Sequence, residues 1–200
     1  MNKLEQPSQP VNKVKVERPY FAPALLLGTS SFTAAGWQDS FYPPGTQPNK
    51  NDIPVDEFRR RLRLFLNRLK DQPAVRFAVE IRNKAWLDRK LVDLLGEHNV
   101  ALALTDHSYM PRPWERIDGL DLATTDFVYV RWLGDRKGIE ALTTTWNKTI
   151  VDRTEDLRNW AELFRQFVSR NLKVYAYANN HYAGHGPGTV KLFWDSWQKR

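Results

Sequence analysis

The sequence predicts an α/β protein whose parallel sheet of about five strands is covered by helices. Short β-branched and aromatic runs alternate along the chain with stretches that have the apolar spacing of amphipathic helices. Polar residues follow each apolar run directly, as they do where the strands of α/β proteins end near a ligand. The length of 200 residues suits one domain but falls short of the ~250 typical of a closed eight-stranded barrel.

Composition limits the possible partners and compartments. The 30 basic and 23 acidic residues give a net charge of +7, which favours anionic partners, including nucleic acid. There is no cysteine, so any metal site must rest on His, Asp or Glu, and the sequence specifies no cofactor. No run approaches the ~18 apolar residues of a membrane span, which predicts a cytoplasmic protein without a membrane partner.

The chain begins with a segment that predicts no structure. Residues 1–23 are polar, contain four prolines and lack periodicity, so we expect a disordered tail followed by a single domain over residues 24–200. The apolar run at 24–27 predicts the first strand, and the turn after it presents Thr29 and Ser30 toward a ligand.

Two helices and two further strands follow. The apolar spacing predicts a helix over 56–70 and another from Leu87 to His98, with strands over 75–81 and 100–105. The polar residues at the exits of these strands are Glu80, Arg82, Asn83, Asp106 and His107.

The second half of the chain repeats the alternation. Residues 108–122 contain two prolines and predict a loop, 127–132 a fourth strand, and 133–138 a charged turn. The predicted elements after this turn are a helix opened by a capping box at Asp152 and Glu155, a fifth strand from Lys173, a polar loop over Asn179–His185 and a last helix from Gly186.

Right-handed crossovers bring all strand exits to one edge, where the polar residues would meet. Carboxylates and histidines there suit general acid and base catalysis, and the other polar groups suit substrate binding. The candidate catalytic residues are Glu80, Asp106 and His181. The candidate substrate-binding residues are Thr29, Ser30, Arg82, Arg131, Asn179, Asn180 and His185.

Several of these residues have a second interpretation. Glu80 is equally suited to pairing with Arg82 or Arg131, and Glu80 and Asp106 together with a histidine could instead hold a divalent metal. Arg131 needs either a carboxylate of the protein or an anionic ligand. The turn at His185 precedes a helix N-terminus that favours an anion, although its glycines also suit a tight turn.

A basic helix face offers a different function. Five arginines lie opposite the apolar stripe of the first predicted helix, where they form either a nucleic-acid-binding surface or an ordinary solvated face. Eight tryptophans could supply base-stacking surfaces. The arginines are Arg59, Arg60, Arg61, Arg63 and Arg68.

Four phrases of the chain are distinctive in combination. They are Gly28-Thr29-Ser30 with Trp37 and Phe41-Tyr42-Pro43, residues 77–82 with Trp86, residues 127–134, and residues 175–181 with 184–187. Together they resemble the YecE-like family of unknown function. The resemblance covers roughly residues 24–200 and implies a TIM-barrel-like fold of eight parallel strands, with no settled activity.

The chain departs from that family by an internal deletion near residues 48–51, where the family's strands two to four would lie. The expected fold is therefore a partial (β/α) TIM-barrel-like sheet, and its free edges make self-association possible. The expected function is that of an enzyme, or an enzyme remnant, acting on a small anionic or sugar-like substrate at the carboxyl edge of the sheet. There are two alternatives: a nucleic-acid-binding module, or a truncated protein without catalytic function.

Overall fold

The structure is a computed structural model that describes residues 25–29, 54–69, 75–116 and 119–199, with the backbone alone described for 25–29. The predicted tail, Ser30 and the predicted deletion near 48–51 lie outside the described residues. The strands are β1 (Leu25–Thr29), β2 (Ala78–Val79), β3 (Ala101–His107), β4 (Phe127–Gly134) and β5 (Lys173–Ala178). The helices are α1 (Val55–Leu69), α2 (Arg89–Glu97), α3 (Pro113–Arg116), α4 (Arg136–Leu142), α5 (Thr154–Ser169), α6 (Asn180–Ala183) and α7 (Gly186–Gln198).

The five described strands form one sheet in the order β1-β5-β4-β3-β2, and every pair is parallel. This confirms the predicted α/β fold with about five parallel strands. The first strand lies beside the last, as it does where a (β/α) barrel closes. Because all strands run in one direction, their carboxyl ends lie along a single edge of the sheet.

The two faces of the sheet carry different side chains. Val128, Val130 and Trp132 of β4 are buried on the face that the helices cover. The Trp132 ring lies among the aromatic rings of the covering helices, with centroid distances of 5.0 Å to Phe193 and 6.1 Å to Phe164. Residues of opposite parity on β4 and β5 therefore point to the other face, which would be the interior of a complete barrel.

Helix α5 shows how the sequence pattern determines the packing. Its apolar residues recur at helical spacing and are buried against the sheet, so the helix is amphipathic as predicted. Its start differs from the expected capping box, because Asp152 accepts hydrogen bonds from the backbone N–H and hydroxyl of Thr154 and the helix begins at Thr154.

None of the described helices is long and apolar enough to cross a membrane.

Three further expectations are corrected. The strand expected over 75–81 is only two residues long in β2, and the expected loop at 108–122 contains the short helix α3. The expected turn at 133–138 is instead the end of β4 followed by α4. Gly134 separates them with a φ of 71°, and a Cβ there would clash with the His181 carbonyl oxygen, so only glycine fits this junction.

Candidate functional site

Glu80 lies between two arginines at the carboxyl edge. Its Oε2 is 2.5 Å from Nη1 of Arg131 on β4, and its Oε1 accepts a hydrogen bond of 2.7 Å from Nε of Arg82. The side chains of Glu80 and Arg131 are each 17% exposed, whereas that of Arg82 is 58% exposed. The structure therefore brings together three predicted site residues, Glu80, Arg82 and Arg131.

The Glu80–Arg131 pair spans β3, which lies between β2, the strand that Glu80 follows, and β4, the strand that contains Arg131. The β3 residue in register with Arg131 is Thr105, and Ala103 precedes it on the same face. Both are small and buried. Their small side chains leave room for the ion pair to cross over β3.

Two tyrosines extend this surface. Tyr177 of β5 is in register with Arg131, and its ring centroid lies 5.3 Å from that of Tyr129. Burial raises the pKa of Tyr129 further above neutral pH, where a tyrosine hydroxyl is protonated in any case and is able to donate a hydrogen bond. Neither tyrosine is among the site residues predicted from the sequence, although the alternation of β4 places Tyr129 on the face of Arg131.

His107 ends β3 at the same edge. Its Nδ1 faces the backbone N–H of Tyr109 at 3.3 Å, and the two rings are 4.7 Å apart. Burial, followed by the charge of Arg82, lowers the pKa of His107 against the opposing effect of nearby carboxylates. His107 lies at a strand exit, as expected from the sequence, but is not among the site residues predicted there.

Asp106 lies on the other face of the sheet. It is in register with Trp132, and its Oδ2 accepts hydrogen bonds of 2.9 Å from Trp160 Nε1 and from the Tyr182 hydroxyl. Arg112 approaches its Oδ1 at 3.6 Å. Asp106 is only 4% exposed, so it connects β3 to the helix layer and is not brought together with Glu80.

His181 and Asn179 form a separate cluster after β5. The Oδ1 atom of Asn179 accepts from the His181 backbone N–H and lies 2.7 Å from its ring Nδ1. The ring Nε2 is 3.1 Å from Glu140 of α4. This cluster joins α4 to α6. The expectation of a loop over residues 179–185 is wrong, because Asn179 caps a helical turn that begins at Asn180.

Asn180 of α6 and His185, the residue before α7, both bond the first turn of α7. Asn180 Oδ1 accepts a hydrogen bond of 2.8 Å from the Gly186 N–H, and the His185 carbonyl accepts one from the Thr189 N–H. The helix amide of Gly186 is thus already bonded by the protein. Thr29 ends β1 in register with Ala178, its side chain is not described, and Ser30 lies outside the described residues.

No group of three His, Asp or Glu residues that could hold a metal ion occurs in the part of the chain that the structure describes. A cavity of ≈ 20 Å³ lies beside β3, lined mainly by apolar residues such as Ile81, Leu87 and Met110. It has room for about one water molecule. Glu80, Arg82 and Arg131 do not line this cavity, so the described part of the candidate site lies outside it.

Fold and site together define an α/β protein built on part of a (β/α) barrel, with an arginine and carboxylate cluster at the carboxyl edge of its sheet. The model of the family described as "Protein of unknown function DUF72" matches residues 52–200, and the chain belongs to this family. The resemblance to the YecE-like family is thereby confirmed.

Two solved structures of family members share the fold. The chain is 16% identical to a DUF72 family protein from Enterococcus faecalis V583, covering 72% of this chain and 54% of that one, with a TM-score of 0.51. It is 19% identical to a DUF72 family protein from Thermotoga maritima MSB8, covering 70% of this chain and 53% of that one, with a TM-score of 0.50. The chain spans about half the length of these relatives. No curated protein matches it.

Proposed function

We propose that this chain binds a small anionic or sugar-like ligand at the carboxyl edge of its sheet, as an enzyme or an enzyme remnant. The ligand contacts Arg82, with Arg131 and Tyr177 forming the floor of the site. The predicted catalytic roles of Glu80, Asp106 and His181 stay predictions. Glu80 is the one of these three residues that contacts the proposed site directly.

This proposal rests on the two Nη groups of Arg82, which are available to bind a ligand. Arg82 bonds Glu80 through Nε alone, and its two Nη groups make no hydrogen bond within the described residues. A guanidinium held at one nitrogen keeps its remaining donors in a planar array that matches a carboxylate or phosphate. Glu80 itself is held by Arg131, so Arg82 is anchored to the sheet rather than freely mobile.

Tyr129 and Tyr177 support the proposal that the ligand is sugar-like. Aromatic rings present apolar faces together with polar hydroxyl groups, which suits ligands that are apolar on one side and hydroxylated on the other. Tyr129 and Tyr177 lie on the face of Arg131, so such a ligand reaches the rings and the arginine cluster at once.

The basic face of α1 supports nucleic-acid binding less well. Four of its five arginines form ion pairs with carboxylates of the chain, and these pairs offset the charge that phosphates would need. The pairs are Arg59 with Asp56 and Asp88, Arg60 and Arg61 with Glu57, and Arg63 with Glu97. Nucleic-acid binding through α1 stays the alternative prediction.

Calorimetric titration with acetate and inorganic phosphate tests the proposal. We expect Arg82→Gln to weaken anion binding by roughly tenfold or more, since a charge-assisted hydrogen bond is lost. Arg89→Gln is the control, because Arg89 is also an exposed arginine held at Nε by one carboxylate, Asp93; unlike Arg82, it also donates through Nη1 to the Gly119 carbonyl at 3.4 Å. Equal anion affinity in the wild type and both variants would contradict the proposal.

A further inference from the structure

The hydrogen bond to His107 determines which of its ring nitrogens carries a proton. The backbone N–H of Tyr109 can only donate, and it faces Nδ1 of His107 at 3.3 Å. Nδ1 must therefore be the acceptor, and the proton of the neutral ring lies on Nε2. The centroid of the Tyr109 ring lies 4.7 Å from that of the imidazole, with the two rings tilted.

The surroundings of His107 favour its neutral form. The ring is half-buried, and Arg82 opposes protonation from the segment that follows β2. Three carboxylates favour protonation: Glu80 from that same segment, Asp135 from the end of β4, and Asp106 from β3 itself. The effects of burial and of Arg82 prevail over the carboxylates, so the pKa of His107 is lowered.

The Nε2–H group of this neutral ring has no acceptor within the described part of the chain. It belongs to the residue that ends β3, at the edge where the Nη groups of Arg82 bond to none of the described residues. A fixed neutral donor beside a cation complements a ligand whose anionic group is accompanied by a second, uncharged oxygen.

We propose that His107 is a specificity-determining residue of the site, and that its Nε2–H donates to the hydroxyl or carbonyl oxygen of a hydroxy or oxo acid whose carboxylate is bound by Arg82. This inference rests on the proposed anion site and names its ligand class. Arg82 supplies attraction for any anion, whereas His107 separates a hydroxy acid from a plain carboxylate of similar size.

The protonation of the ring is tested first, by nitrogen-15 NMR of the wild-type imidazoles with assignment through His107→Gln. We expect Nε2 of His107 to be protonated and Nδ1 unprotonated at pH 7.5. A ring protonated at Nδ1, whether as the other tautomer or as the imidazolium, would overturn the inference because no neutral Nε2 donor would then be present in the proposed form.

Selectivity is tested by titrating the wild type, His107→Phe and His107→Gln with acetate and with glycolate. We expect glycolate to bind the wild type more tightly than acetate by roughly twofold to tenfold, the range of one neutral hydrogen bond. His107→Phe keeps a ring beside Tyr109 and should abolish this preference, while the amide N–H of His107→Gln should restore part of it.

The outcomes separate the two proposals. Acetate binding that depends on Arg82, with no glycolate preference or with one that His107→Phe leaves unchanged, would overturn the role of His107 and leave the anion site standing. Absence of binding of either ligand to the wild type would overturn both.

Discussion

Arg131 of β4 and Glu80 at the exit of β2 form an ion pair, with 2.5 Å between Nη1 and Oε2, although β3 lies between their strands. The pair links the exit of β2 to β4 across the intervening strand. Because Glu80 also accepts a hydrogen bond from Arg82, it links the buried part of the sheet to the exposed guanidinium that we assign to ligand binding.

The Glu80–Arg131 ion pair should require a small side chain at position 103, where the protein has Ala103. A leucine at this buried position of β3 would occupy the space that the pair crosses, and overpacking of this kind typically lowers the free energy of unfolding by about 1–3 kcal/mol. Urea denaturation of Ala103→Leu, Glu80→Gln and the double variant measures the coupling. We expect Glu80→Gln to cost less in the Ala103→Leu background, and strictly additive losses would show that the two features are independent.

Two fully buried tryptophans should differ in their tolerance of phenylalanine. The indole N–H of Trp160 donates to Asp106, whereas that of Trp132 has no partner among the described residues. Trp160→Phe leaves a buried carboxylate with one donor fewer and should destabilise the fold by about 1–3 kcal/mol more than Trp132→Phe. Chemical denaturation of both variants checks this, and equal losses would contradict the role assigned to the Trp160 bond.

Gly134 should resist substitution far more than Gly96. Alanine at Gly134 meets both an unfavourable positive φ and the His181 carbonyl, so Gly134→Ala should lower stability by more than about 1 kcal/mol. A Cβ at Gly96 of α2 meets only an ordinary contact of 3.8 Å, so Gly96→Ala should be neutral or stabilising. Thermal melts of the two variants give the comparison, and a Gly134→Ala protein as stable as wild type would refute it.

The lowered pKa of His107 predicts a pH dependence of stability. The unfolded chain binds a proton at this residue near pH 6.5, where the folded protein does not, so stability should fall as the pH drops below about 6.5 and level off below the folded pKa. The stabilisation is fully present above the unfolded value. Melting temperatures between pH 8 and pH 5 should decline less in His107→Phe, and an identical decline in both proteins would exclude this contribution.

The sequence predicted the architecture because its signals are local. The alternation of apolar strands and amphipathic helices identified β3, β4, β5 and α5, and the parallel sheet was predicted from that alternation along the chain as a whole. Local signals failed at the junction after β4, where Gly134 ends the strand through a contact with His181, a residue distant in the sequence.

The arrangement of the candidate site depends on ion-pair partners and strand register, which residue types alone do not determine. Pairing of Glu80 with Arg82 or Arg131 was one interpretation of the sequence, and the structure contains both contacts. The position of Asp106 depends on the register of β3 against β4, which places it beside Trp132 and opposite to the face of Thr105. Strand register is set by pairing with strands that are distant in the sequence. Polar residues at strand ends that look equivalent in the sequence therefore lie on different faces of the sheet.

The most direct measurement is a crystal of the wild-type protein soaked with selenate, a tetrahedral dianion whose selenium gives an anomalous signal. Binding at the carboxyl edge predicts an anomalous peak whose oxygen atoms lie within hydrogen-bonding distance of the Arg82 Nη groups, and the same soak of Arg82→Gln should lose this peak. A saturating soak that leaves the edge empty, or that gives the same peak in both proteins, would contradict the anion site at Arg82.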